Sequence, residues 1–109
     1  MIVATTPTIE GRKIVETIGL VRGSTVRGKH IGKDLIAFLR NVVGGEIPEY
    51  SKMLAESREQ ALDRMMENAT RLGADAVVSV RYSTSHITKG AAEILIYGTA
   101  VRLAQTGDE

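Results

Sequence analysis

The sequence predicts a two-layer α/β (α+β) domain: a small antiparallel or mixed sheet packed by one long and one short helix. Three observations predict it. The segments KIVETIGLV at Lys13–Val21, AVVSVRY at Ala76–Tyr82 and EILIYGTAVRL at Glu93–Leu103 are rich in β-branched residues and read as strands. The stretch from Glu49 to Leu72 carries apolar residues at helical spacing. A chain of 109 residues suits one domain with one core.

Taken in order, Met1–Thr5 is short and β-prone, Pro7 breaks it, and Glu10-Gly11 forms a turn. After the strand at Lys13–Val21, the stretch Arg22–Ile31 contains Gly23 and Gly28 and reads as a loop or a short irregular strand. A modest helix is expected over Lys33–Val43, where Ile31, Leu35, Phe38, Leu39 and Val42 recur at helical spacing, and Gly44-Gly45 ends it. Pro48 then sits near the start of the long helix, where its missing N–H costs little. Leu54, Ala61, Leu62, Met65, Ala69 and Leu72 make one stripe of that helix, and Gly73 stops it. Ala76–Tyr82 alternates as a strand, Ser83–Ala92 reads as a polar turn, and Glu93–Leu103 is the last strand. The whole of 1–103 is expected to be one domain, with 104–109 a loose tail.

Composition narrows the function. Lys and Arg number 14 against 13 Asp and Glu, so no broad positive field exists to draw in nucleic acid. The chain has no cysteine, which removes disulfides, thiol nucleophiles and thiolate metal sites. Met1–Thr8 lacks a basic, then apolar, secretory pattern, and no apolar run approaches the ~18 residues of a membrane span. The expectation is a cytoplasmic protein with neither nucleic acid nor membrane as its partner.

The last strand is apolar on both faces: Leu95, Tyr97, Val101 and Leu103 on one, Ile94, Ile96 and Ala100 on the other. Such a strand is covered on both sides. One long helix covers one face, and a neighbouring subunit is the natural cover for the second, since large apolar patches are rare on monomers. The alternative is that the short helix and the N-terminal strand fill it.

Few residues suggest chemistry. Gly23–Lys29 matches most of a phosphate-binding loop, but His30 stands where that loop needs a Ser or Thr hydroxyl for its metal, and no later strand ends in an Asp. The reading is glycines beside a solvated lysine. His30 and His86 are the only imidazoles and the weak candidates for a metal, with Met53, Met65 and Met66 as thioethers on the long helix; Met65 falls in the apolar stripe and suits core packing. Arg58 projects into the middle of the apolar stripe, between Leu54, Leu62 and Met65, where a guanidinium needs a partner. Glu46 and Glu93 are the candidates. The structural reading is an ion pair; the functional one is an anion or small-ligand pocket lined by Arg58, Tyr50 and Glu46. No spacing groups Ser, His and carboxylates into a catalytic set, so no catalytic residue is named.

Gly44-Gly45-Glu46, Tyr50, Arg58 and Ala61, then Leu72-Gly73-Ala74-Asp75-Ala76-Val77-Val78 and finally Tyr97-Gly98-Thr99-Ala100-Val101 form an ordered set of motifs. Across almost the whole chain they resemble the YbjQ-like proteins, small and mostly bacterial and archaeal. The resemblance implies a dodecin-like two-layer subunit assembled as a homopentameric ring, and it carries the label "putative heavy-metal-binding domain". It supplies no catalytic residues.

Three functional readings follow. The first is a non-enzymatic, ring-forming binding or scaffold protein with a small ligand or metal in its subunit clefts. The second is a small enzyme with a composite inter-subunit site using Arg58, Glu46 and Tyr97. The third is a heavy-metal-binding protein using His30, His86 or Met side chains. The lack of a nucleophile–base set and of thiolates favours the first; no cofactor is identified, and a metal stays open.

Overall fold

The structure, a computed structural model, describes residues 1–27, 48–88 and 91–105. Its elements are β1 (Ile2–Val3), β2 (Ile14–Arg27), α1 (Pro48–Arg71), β3 (Ala76–Thr88) and β4 (Ala91–Leu103). The strands form one mixed sheet in the order β1-β3-β4-β2. β4 lies between two antiparallel neighbours, and β1 adds to β3 in parallel. α1 packs on one face, mainly over β2 and β4. This is the two-layer architecture expected; the short helix expected at Lys33–Val43 lies outside the described residues.

Two strands are longer than the residue pattern indicates. β2 continues through Arg22–Arg27, which pair with Tyr97 to Ala92 of β4, where a loop or irregular strand was expected. β3 continues through Ser83–His86, paired with Leu95 to Ala92, where a turn was expected. The causes differ. Gly23 is a strand residue because α1 comes too close for a side chain: a Cβ there would run into the Ala61 carbonyl oxygen and the Met65 amide. Ser83–His86 are exposed on both faces, so they lack the polar–apolar alternation that marks a half-buried strand.

The close approach also decides which face of α1 is buried. Ser57, Ala61, Met65 and Ala69 are each fully buried (0% exposed), one turn apart, with Leu54 and Leu62 at their flanks. Arg58, expected in this stripe, is exposed, and Leu72 is 50% exposed. Small residues carry the contact, so the line drawn through the larger apolar residues falls to one side of it. Ser57 is tolerated there because its hydroxyl donates to Met53 O (2.9 Å) and its carbonyl accepts from Thr25 Oγ1 (3.1 Å). Beneath it lie Val21, Val77, Val80, Ile94, Ile96 and Ala100. Burying the larger of these stabilises by about 1.5–3 kcal/mol each.

α1 ends as Gly73 suggests. Gly73 takes φ 81°, its N–H donates to Thr70 O (2.9 Å), and Ala74 N donates to Ala69 O (3.0 Å). This pair of bonds satisfies the last carbonyls and turns the chain back, with Ala74 packed on the core. Asp75 then fastens β3 to the end of β4: its N–H donates to Val101 O (2.9 Å) and its Oδ2 accepts from Leu103 N (2.8 Å).

The N-terminal segment crosses the second face of the sheet. Glu10-Gly11 forms the expected turn, with Gly11 at φ 77° and Arg12 N donating to Ile9 O (3.1 Å). Ile9 and Ile14 lie over Ala76, Val78, Val101 and Leu103, so this half of the second face is covered from within the chain. Ala104, assigned above to the loose tail, is fastened: its N–H donates to Lys13 O (2.8 Å) and its carbonyl accepts from Arg12 Nη2 (3.3 Å).

Gly98 faces a bulge in β3 between Val78 and Arg81, where Ser79 takes φ 54°. A Cβ at Gly98 would stand 2.7 Å from Val77 Cγ1 and 2.9 Å from Val78 O. The close neighbour of this glycine is the strand beside it in the same chain. Ser79 N donates to Thr6 O (2.9 Å) and Val80 N to Ala4 O (3.1 Å), so the bulge serves to hold the N-terminal segment.

Candidate functional site

Among the described residues, nothing beyond Ile9 and Ile14 packs on the face opposite α1. The register places its residues. Ile94 and Ile96 point to the helix, so Leu95, Tyr97 and Thr99 point away. Directly opposite them on β2 stand Ser24, Arg22 and Leu20, with Val26 one step further. Leu20 is 69% exposed, Val26 56% and Tyr97 38%. Arg22 and Arg81 flank Tyr97 from the two neighbouring strands. Directly paired side chains lie about 5 Å apart at Cβ, within reach of a cation–aromatic contact. Arg81 is turned toward the N-terminal segment, its Nη1 donating to Thr5 O (2.9 Å) and Val80 O (2.8 Å). The result is an apolar ledge with a phenol on the strand between Arg22 and Arg81. These groups offer contact area and positive charge.

The residues singled out from the sequence fall in different places. Tyr97 lies on this open face. Arg58 lies on α1, on the other side of the sheet, so a single chain does not bring the two together. Arg58 is instead near Tyr82, a β3 residue on the helix side, opposite Ile96. The Tyr82 phenol is held above its usual value by burial and by the charge of Glu59, with Arg58 pulling the other way. Tyr50 belongs to the first turn of α1. Glu46 and His30 lie outside the described residues. His86 is exposed on β3, and Met65 is in the core as expected.

Leu20, Arg22, Val26 and Arg81 were missed by the sequence reading. Their signal is the spacing of two through 20, 22, 24 and 26, legible once Arg22–Arg27 is recognised as strand.

A family model described as "Putative heavy-metal-binding", the YbjQ model, matches residues 1–104. The chain belongs to the YbjQ family. A UPF0145 protein of Methanosarcina acetivorans is 60% identical over 103 residues, covering 94% of this chain and 97% of that one. A UPF0145 protein of Thermus thermophilus is 57% identical over 103 residues, covering 94% and 90%. Among solved structures, a protein of unknown function from Pediococcus pentosaceus, of the DUF74 family, aligns with TM-score 0.58 over 95% of this chain and 98% of that one. At 15% identity that likeness shows the fold.

The YbjQ description invites a test of the donor set. A soft heavy-metal ion prefers thiolate, thioether and imidazole ligands. The chain has no cysteine and two histidines. Among the described residues no three His, Asp or Glu side chains come together to hold an ion. Met65, the thioether deepest in the protein, is consumed by packing. The described residues of this YbjQ chain therefore do not fit a heavy-metal centre. Among them, no helix is long and apolar enough to cross a membrane.

Proposed function

We propose that the protein is a homo-oligomeric binding or scaffold protein, a pentameric ring in the cytoplasm, with its ligand sites at subunit boundaries. The observation that carries this is the second face of the sheet, where, among the described residues, Leu20, Val26 and Tyr97 stand exposed. Exposed apolar residues grouped on one sheet face are characteristic of a surface that a partner covers. A second copy of the chain is the partner always present at matching concentration. Five-fold closure is supported by the family resemblance, and the cysteine-free composition suits a reducing compartment.

In a ring, Tyr97 of one subunit stands at a boundary. A composite site there would join groups that a single chain keeps on opposite sides of its sheet, such as Arg58 and Tyr97. Native mass spectrometry of the purified protein without added ligand tests the reading. The expected species has five times the 11.8 kDa subunit mass. A monomer at micromolar concentration would overturn the ring and, with it, any boundary site.

A further inference from the structure

The outer edge of the sheet is closed in an unusual way. β2 is the edge strand, and it turns the Arg22 and Ser24 carbonyls away from β4. Such an edge ordinarily invites another strand. Here α1 reaches over it. Asn68 Nδ2 donates to Arg22 O (2.7 Å), Arg64 Nη1 to Ser24 O (2.5 Å), and Arg71 Nη2 to Asn68 Oδ1 (2.7 Å). Two guanidiniums are thus anchored by one N–H each, leaving their other donors available. Arg22 joins them from the strand. The three arginines line an open recess of about 410 Å³, with Glu67 as the carboxylate in its described lining.

Three guanidiniums against one carboxylate leave a local surplus of two positive charges. Among the described residues, no carboxylate forms an ion pair with Arg22, Arg64 or Arg71, whereas Arg102, elsewhere, pairs with Glu16 at 3.1 Å. The Arg22 and Ser24 N–H groups point to the same edge as their carbonyls, as an antiparallel ladder requires. Anchored guanidinium forks beside backbone donors match a tetrahedral oxyanion better than a single carboxylate. A phosphoryl group carries close to two negative charges at neutral pH.

We propose that this recess, formed by Arg22, Arg64, Asn68 and Arg71, binds a phosphoryl dianion, either inorganic phosphate or the phosphate of a small phosphate ester. Arg22 and Arg71 hold its oxygens from the two sides, and Arg64 supplies charge while keeping the strand edge closed. The site does not depend on the ring, since all four residues come from one chain.

Isothermal titration of the full-length protein at low ionic strength, with inorganic phosphate and separately with a sugar phosphate, tests this. Both should bind, and the tighter of the two identifies the source. Arg22→Gln should weaken binding about tenfold, as should Arg71→Gln. Arg102→Gln, an exposed arginine elsewhere, should leave binding unchanged. Arg22 caps no backbone group, so its variant keeps the edge closed, and thermal unfolding checks that it folds. The proposal is overturned if phosphate does not bind at millimolar concentration, if Arg22→Gln binds as the parent does, or if succinate binds as tightly as both phosphates. Native mass spectrometry of Arg22→Gln separates this proposal from the ring: phosphate binding lost with an unchanged assembly supports the recess alone.

Discussion

Gly23 of β2 and Ala61 of α1 meet backbone to backbone, with no room between them for a side chain. Both the burial of Ser57 and the exposure of Arg58 follow from this contact. Gly23→Ala should therefore cost at least about 3 kcal/mol, because helix backbone cannot give way as a side chain would. Urea unfolding monitored by circular dichroism measures it. A midpoint equal to the parent's would mean that α1 sits further from the sheet.

Ser79 is the one non-glycine residue with positive φ among those described. Ser79→Gly should raise stability by up to about 1 kcal/mol, and Ser79→Val should lower it by about 1–2 kcal/mol, because the β-branched side chain resists φ 54°. Two variants of opposite effect on thermal midpoint would fix the bulge at this residue.

Asp75 accepts from Leu103 N at 2.8 Å. Asp75→Ala leaves that donor without its partner and should cost about 1–2 kcal/mol. Asp75→Asn retains an oxygen acceptor and should cost less. Equal losses in chemical denaturation would show that this bond contributes nothing.

Tyr82 ionises above its ordinary value of 10.0, first because it is partly buried, then because Glu59 opposes a second negative charge, while Arg58 favours it. A raised acid contributes stability that is fully present below the unfolded value. That contribution is lost as pH climbs through the higher folded value. Stability should thus fall above pH 10.0 in the parent and fall less in Tyr82→Phe. Phenolate absorbance should show Glu59→Gln lowering the titration and Arg58→Met raising it further. Shifts of the opposite sign would place Tyr82 away from α1.

Val26 is exposed on the open face and touches no core cluster. If a second copy covers that face, Val26→Glu should dissociate the assembly with little change in the fold of each subunit. Sedimentation velocity at several concentrations measures this. An unchanged sedimentation coefficient would remove the face from the interface.

How much of this could be read from residues alone differs by element. β4 was legible on both faces because Ile94, Ile96 and Ala100 alternate cleanly with Leu95, Tyr97 and Val101. The ends of β2 and β3 were not: Gly23 is set by the approach of α1, and Ser83–His86 are exposed on both faces and lack alternation. Arg58 was misplaced because helical projection weights large apolar residues, whereas Ser57 and Ala61 hold this helix to its strand. The apolar part of the open face could be half read, through Tyr97 and Leu95. The arginine recess could not be read, because its members lie 40 and 46 positions apart in the pairs Arg64 with Ser24 and Asn68 with Arg22, and only the fold brings them to one edge.

The sheet pairing has a consequence for how the chain is made. β2 leaves the ribosome early, yet its sheet neighbour is β4, and β1 must wait for β3. Until β4 follows, the β-branched β2 has no native strand to pair with, while α1 can already form from local contacts. A nascent chain stalled before β4 would thus present unpaired strand to whatever holdase or neighbouring chain is nearby. Slowing translation late in this sequence should cost more soluble protein than slowing it early.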